Sequence, residues 1–326
     1  MKSVTIIVPC YNEEAVLEKL YARLDTVLNS LDSYRFEVLF VNDGSSDNTL
    51  TVIKSLHQRD SRISYLDFSR NFGKEMAMVA GLDHADSDAV VLMDADLQHP
   101  PEMIRDMLIY WEQGYDDVYT KRKNRLDEGV IKRNITEAFY NILQKVSRID
   151  IQKNVGDFRL LDRRCVNSLR LLRESQRYTK GMFSWVGYKK KEVLFQCEPR
   201  AAGQTKWNYF SLINLAIEGI TSFTTLPLKI ASLLGSFISI IAMLFMGWII
   251  LNTLLYGDPV QGYPTLMTTI LFLGGIQLIF LGVIGEYLSR IFNESKNRPL
   301  YIINEYNGRK VTYRARTERD REYLDE

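Results

Sequence analysis

The sequence predicts an α/β domain, a mostly parallel sheet with helices on both faces, followed by a two-helix transmembrane hairpin. Three observations predict it. Short apolar, β-branched runs alternate with amphipathic stretches from Val4 to Tyr119, the pattern of parallel strands joined by crossover helices. Acidic and small polar residues follow several of those runs directly, at the strand ends where open α/β sheets bind ligands. Residues 230–256 and 259–285 are each 27 residues long and contain no Asp, Glu, Lys or Arg. As a helix, either would be about 40 Å long against a hydrocarbon core of about 30 Å.

Taken in order, residues 4–8 read as a strand and 13–31 as an amphipathic helix. Residues 36–41 are a second strand, and 43–47 a turn in which Ser45 or Ser46 can cap the helix that follows. Residues 63–68 make a third strand, 74–84 a helix and 89–93 a fourth strand. Pro100-Pro101 opens another helix, because proline is tolerated in the first turn. Val118 and Tyr119 are expected to end a fifth strand. Further on, residues 130–146 read as helix, 192–197 as strand and 211–223 as an amphipathic segment before the membrane. The turn residues Gly257, Asp258, Gly262 and Pro264 separate the two apolar stretches. That turn lacks Lys and Arg, whereas the outer flanks carry Lys229, Arg290, Lys296 and Arg298. The positive-inside rule then puts both termini in the cytoplasm.

Composition narrows the function. The chain has 326 residues and a net charge of +1, which gives no basic field for nucleic acid. Cys10, Cys165 and Cys197 are far apart and odd in number, which fits a reducing compartment rather than a disulfide or metal framework. Strand-like sequence begins at Ser3, so no signal peptide is expected. Neither a dinucleotide G-x-G-x-x-G nor a P-loop is present.

Asp94-Ala95-Asp96 carries the most chemistry. The two acids emerge at the end of the fourth strand. Neighbouring carboxylates repel unless a cation sits between them. Mg²⁺ is typically held by one or two carboxylates plus substrate phosphates, so the pair points to a metal-bridged diphosphate. Alone, two solvated acids on a turn would be the commoner reading of so short a motif, and its surroundings reverse that. Tyr11 can stack on a base, and Glu13 and Asp43 can accept hydrogen bonds from base or ribose, although Glu13 could simply complement a helix dipole.

V-P-C-Y-N-E-E, V-N-D-G-S-S-D-N-T, N-F-G-K, D-A-D-L-Q-H-P-P-E and G-D-F-R-L-L-D-R-R together resemble the family 2 glycosyltransferases. The likeness is strongest to the polyprenyl-phosphate glycosyltransferases, the group of dolichol-phosphate mannose synthase and the bactoprenol glucosyltransferases. It extends through the hairpin to G-E-Y-L-S-R-I-F at residues 285–292. The resemblance implies a nucleotide-diphospho-sugar transferase fold of the A type (GT-A). It also implies an inverting reaction and a lipid phosphate acceptor. It implies that Pro9, Tyr11, Glu13 and Asp43 hold the nucleoside, and that Asp94 and Asp96 hold Mg²⁺ or Mn²⁺ with Gln98 nearby. Asp96 and Asp157 then count as the catalytic acids. Asp157 matches a position where the family often has a base, but a phosphate acceptor is already anionic, so orienting the sugar or acceptor is the favoured role. A structural ion pair with Arg159 or Arg163 is the alternative. Arg122, Arg133 and Arg200 are expected at the acceptor phosphate and Lys206 at the donor diphosphate. His99 lies near enough to the acids to reach substrate.

The expected organisation is a cytoplasmic catalytic domain at 1–208 and a juxtamembrane amphipathic helix at 209–228. A hairpin at 229–287 follows, with spans of about 230–256 and 263–285, then a cytoplasmic tail at 288–326. The resemblance implies transfer of one hexose to undecaprenyl or another polyprenyl phosphate at the plasma membrane, for cell-surface glycan modification. UDP-glucose is the favoured donor; UDP-N-acetylhexosamine, UDP-aminoarabinose and GDP-mannose remain alternatives. A homo-oligomer, such as a tetramer, is expected. A processive synthase would carry Q-x-x-R-W, where this chain has Gln204-Thr205-Lys206-Trp207. A catalytically silent membrane scaffold is the remaining reading.

Overall fold

The structure is a computed structural model; it describes residues 1–122, 155–175, 177, 179–195, 226–256 and 262–313. In chain order it contains β1 (Lys2–Cys10), α1 (Leu17–Asn29), β2 (Tyr34–Asn42), α2 (Thr49–Arg59), β3 (Ile63–Phe68), α3 (Lys74–His84), β4 (Ala89–Leu92) and α4 (Met103–Glu112). There follow β5 (Asp117–Arg122), β6 (Val155–Asp162), α5 (Arg163–Leu171), α6 (Thr179–Trp185) and β7 (Lys190–Phe195). Last come α7 (Leu226–Tyr256), α8 (Tyr263–Ser295), β8 (Ile303–Tyr306) and β9 (Arg309–Lys310).

The strands form one nine-stranded sheet in the order β7-β5-β6-β4-β1-β2-β3-β8-β9. Its centre, β4-β1-β2-β3, is parallel. β6 and β8 flank that centre in antiparallel pairs with β4 and β3. The sheet is therefore mixed around a parallel core. Alternation explains the two-sided burial. Val4, Ile6 and Val8 pack with Leu17, Leu20, Leu24 and Ile53 on one face, while Ile7, Leu39 and Val41 pack with Ala77, Ala80 and Val166 on the other. Helix α3 lies so close to β1 that a Cβ on Gly81 would stand 2.3 Å from Ile7 Cγ2.

Some boundaries differ from the expectations. Residues 13–16 are a turn, with the Val16 N–H donating to Glu13 O at 3.1 Å, so α1 starts at Leu17. Val118 and Tyr119 lie in the first half of β5 instead of ending it, because parallel pairing with β7 carries the strand on to Arg122. The segment 288–326 is not simply a tail. Helix α8 continues to Ser295, and β8 and β9 then join the sheet. Polar and aromatic contacts hold this return in place. The Ser69 N–H donates to Ile302 O at 3.0 Å, Lys54 pairs with Glu305 at 2.8 Å, and Tyr301 stacks on Phe68 with ring centroids 5.3 Å apart. Glu294, at the end of α8, accepts from the Ser175 N–H and hydroxyl at 2.8 and 2.7 Å. The expected helices at 130–146 and 211–223 lie outside the described residues.

Helices α7 and α8 are 31 and 33 residues long. Both expose large apolar side chains, among them Leu233, Phe237 and Trp248 on α7 and Phe272, Leu278 and Leu281 on α8. Exposure on that scale marks contact with lipid or protein. Among the described residues one stretch, Phe272–Ser295 within α8, is long and apolar enough to cross a membrane.

Candidate active site

Two loops at the carboxyl ends of β1 and β2 are fastened to each other. Asn12, in the left-handed region at φ 58°, donates its N–H to Ser45 Oγ at 3.0 Å and accepts from the Ser46 N–H at 2.8 Å. The Glu13 N–H donates to Thr49 Oγ1 at 2.8 Å, and Glu14 accepts from the Asn48 N–H at 2.9 Å. Tyr11 projects from this rim, 41% exposed. Pro9 lies two residues beyond Ile7, the last β1 residue paired with β4, where the ladder no longer needs a donor on that side.

Asp43 extends the fastening to a third strand end. It is buried, and its two carboxylate oxygens accept from the Phe72 N–H at 2.6 Å and the Gly73 N–H at 2.9 Å. Burial raises its pKa, against the lowering effect of those two donors and of Arg70. The loop passes so near Gly44, at φ 60°, that a Cβ there would stand 2.4 Å from the Arg70 carbonyl carbon. Only glycine accommodates both that conformation and that approach.

The clamp sets the position of Lys74, the first residue of α3, and this organises the acids. β4 and β6 run antiparallel with Leu92 opposite Arg159. Continued two residues, that register sets Asp94 opposite Asp157. Lys74 Nζ joins them, 2.5 Å from Asp94 Oδ1 and 2.6 Å from Asp157 Oδ2. The Lys74 side chain is 44% exposed, and those of Asp94 and Asp157 are 24% and 16% exposed, so water reaches all three. Desolvation pulls the Lys74 pKa down, but the two carboxylates outweigh it and hold the ammonium well above the ordinary lysine range. Ala95 and Leu97 are buried between the partly exposed Asp94, Asp96 and Gln98. The backbone bends here: Leu97 has φ 59°, and Asp96 accepts from the Gln98 N–H at 3.1 Å. Buried His99 packs against Phe158 and Phe195, its Nδ1 4.0 Å from Asp94 Oδ2.

Arg159 and Arg163 are not the partners of Asp157. Arg159 is buried against Asp117 at 3.1 Å, beneath the Phe183 ring, and Arg163 donates to the carbonyls of Ala85 and Ser87. Arg159 is thus tied to β5, and Arg163 to the C-terminal end of α3. The structure therefore brings together Asp94, Asp157 and a lysine that was not among the expected site residues. Its signal was the N-F-G-K segment, whose lysine could not be placed without the register of β4 on β6. Arg122 closes β5 opposite Phe195, with its side chain outside the description. Arg133, Arg200 and Lys206 lie outside the described residues.

No group of three or more His, Cys, Asp or Glu side chains able to hold a metal occurs among the described residues. Asp94 and Asp96 nonetheless supply hard oxygen donors at a partly exposed rim. That suits a Mg²⁺-like ion whose remaining ligands are phosphate and water oxygens.

A parallel sheet core with carboxylates at its ligand-binding rim, flanked by antiparallel β6, defines the class: an α/β glycosyltransferase fold of the A type. Residues 5–170 match Glycosyl transferase family 2, and residues 226–291 match the GtrB C-terminal hairpin. An uncharacterized glycosyltransferase of Synechocystis sp. is 48% identical over 93% of this chain and 95% of its own. A bactoprenol glucosyl transferase of Shigella phage SfV is 45% identical over 92% of this chain and 97% of its own. Among solved structures, a mannosyltransferase of Pyrobaculum calidifontis is 20% identical with a TM-score of 0.45, covering 64% of this chain and 59% of that one. The chain belongs to glycosyltransferase family 2, and it is a glycosyltransferase with the GtrB-type C-terminal hairpin.

Proposed function

We propose that this enzyme transfers a single hexose from a nucleotide diphosphate to polyprenyl phosphate at the cytoplasmic face of the plasma membrane, with inversion. The favoured pair is UDP-glucose and undecaprenyl phosphate. The observation that carries the reading is the convergence of Asp94 and Asp157 at one rim of a chain that also has a GtrB-type hairpin. Near-full-length similarity to enzymes called bactoprenol glucosyl transferases supports the acceptor and, more weakly, the sugar.

The two substrates are both anionic, which assigns the work. Tyr11, Glu13 and the β1–β2 rim with Pro9 receive the nucleoside; Asp43 shapes that rim through Phe72 and Gly73. Asp94 and Asp96, with Gln98 beside them, would hold Mg²⁺ or Mn²⁺, which neutralises charge on the departing diphosphate. Arg122, Arg133 and Arg200 meet the acceptor phosphate, and Lys206 the diphosphate, because guanidinium groups match phosphate geometry and an ammonium acts as a point charge. Asp157 orients the sugar or acceptor: a phosphate nucleophile arrives deprotonated, and Asp157 Oδ2 is already engaged by Lys74.

The hairpin α7–α8 spans the membrane twice in this reading, leaving the catalytic domain and both termini in the cytoplasm. Cβ atoms added at Gly274, Gly275, Gly282 or Gly285 would meet nothing within 4 Å among the described residues. Small residues let transmembrane helices approach closely, so this unfilled row suits a homo-oligomer, which mass measurement in mild detergent tests. The enzymatic reading is tested by presenting labelled UDP-glucose, UDP-N-acetylhexosamines, UDP-aminoarabinose and GDP-mannose to the purified chain with polyprenyl phosphate and Mn²⁺. Labelled lipid from UDP-glucose is the expected result. Labelled lipid from none of the donors would refute the reading and favour a silent scaffold.

A further inference from the structure

We propose that Lys74 is a resident counter-cation of the acidic site, which the incoming divalent ion displaces from Asp94. The inference rests on the metal role of Asp94 in the reading above.

Continued register sets Asp94 and Asp157 opposite each other across β4 and β6, separated by 63 positions in sequence. Two carboxylates that close cannot both remain ionised without a cation. Lys74 provides one, within 2.6 Å of both. It does not arrive there as a loosely tethered surface lysine. Gly73, at φ 98°, turns the chain into α3. Asp43 fixes the Phe72 and Gly73 amides, and Gly81 lets α3 lie hard against β1. Beyond the other end of the loop, the Ser69 N–H is held by Ile302 O. Rigid elements thus deliver the ammonium to Asp94.

A divalent ion and an ammonium repel each other, so they compete for the Asp94 carboxylate. With Lys74 in place, Asp94 and Asp157 leave the trio a net charge of −1; without it the net charge is −2. Free metal therefore binds weakly to the resting enzyme. A metal ion that arrives with a nucleoside diphosphate brings its own anionic partner, and the displaced ammonium, with three donors, remains on Asp157 and can face that diphosphate. The exchange makes the site prefer the metal–nucleotide complex to the bare ion. It also keeps Asp157 in place once Asp94 has turned to the metal.

The direction of one measurement separates this role from a structural one. Free Mn²⁺ is titrated into the nucleotide-free, full-length chain in detergent and followed by electron paramagnetic resonance. Lys74→Met should tighten Mn²⁺ binding about tenfold, the scale of one unit charge removed at close range in a partly solvated site. Lys74→Arg, which keeps the charge, should bind Mn²⁺ about as the parent does, and adding UDP should improve Mn²⁺ binding more in the parent than in Lys74→Met. A lysine that merely braced the fold would give the opposite sign, since a loosened site binds metal less well. Unchanged or weaker Mn²⁺ binding by Lys74→Met, with Lys74→Gln behaving alike, would overturn the proposal. Mn²⁺ bound as tightly by Asp94→Ala as by the parent would instead overturn the metal site itself, and the exchange with it.

Discussion

The β1–β2 rim and the acidic rim lie on the same side of one sheet but are held together differently. The first is a lattice of short bonds: Asn12 to Ser45 and Ser46, Glu14 to Asn48, Asp43 to Phe72 and Gly73. Each donor has its acceptor before any ligand is present. The second consists of full charges, Asp94, Asp157 and Lys74, balanced by proximity and open to water. A rim built from satisfied backbone groups is preorganised and pays its ordering cost during folding. A rim built from charges is completed by whatever cation or anion arrives. Damage to the first should therefore appear as lost stability, and damage to the second as lost turnover.

The largest expected effect tests the second half of that contrast. Asp94→Ala should lower transfer by at least about a thousandfold, roughly 4 kcal/mol of transition-state stabilisation, with a melting temperature close to the parent's. A melting temperature lowered in step with activity would erase the distinction between the rims. Gly44→Ala tests the first half. Its Cβ would meet the Arg70 carbonyl carbon at 2.4 Å in a left-handed backbone, and a loss of about 3 kcal/mol in unfolding free energy is expected. Ordinary stability in that variant would show that the loops yield easily.

Asp157→Asn sharpens the comparison within the acidic rim. It keeps a polar group opposite Asp94 but removes a charge from Lys74. About a tenfold loss in kcat, roughly 1.4 kcal/mol, is expected for a positioning residue. A loss comparable to that of Asp94→Ala would make Asp157 an obligatory base. The smallest effect concerns pH. Hydrogen bonds from Lys54 and then Tyr65 hold the Glu305 carboxyl below its ordinary value of 4.5. A depressed folded-state value contributes stability above that ordinary value and loses it as pH falls through the folded one. Hydrogen exchange across 303–310 should thus quicken below about pH 4, after correction for the intrinsic rate, while that of β1 does not.

Much of the parallel core was legible because β1–β4 are apolar and β-branched, bounded by polar turns, and buried on both faces. Asp94 and Asp96 stood out as a candidate metal pair because neighbouring carboxylates repel, and the surrounding motifs favoured that over two solvated acids on a turn. Lys74 did not, since its meaning depends on an antiparallel register between β4 and β6, and no local pattern encodes that register. Asp43 could be read as a ligand contact but not as a clamp, because its partners are backbone amides 29 and 30 positions later. β8, Ile-Asn-Glu-Tyr, has a single buried side chain. So polar a strand carries no periodic signal, and its place depends on side-chain anchors such as Asn304 to Asp67 and Asn307 to the Tyr65 N–H.

The return of the chain to β3 after the hairpin has a practical consequence. A fragment cut before α7, as one would make to obtain a soluble catalytic domain, loses the strand that covers β3. It would present an open sheet edge with unpaired backbone groups, a template for intermolecular β-pairing and aggregation. Insolubility of such a fragment would reflect a missing strand rather than a missing membrane, and supplying residues 301–313 through a short linker should restore its solubility.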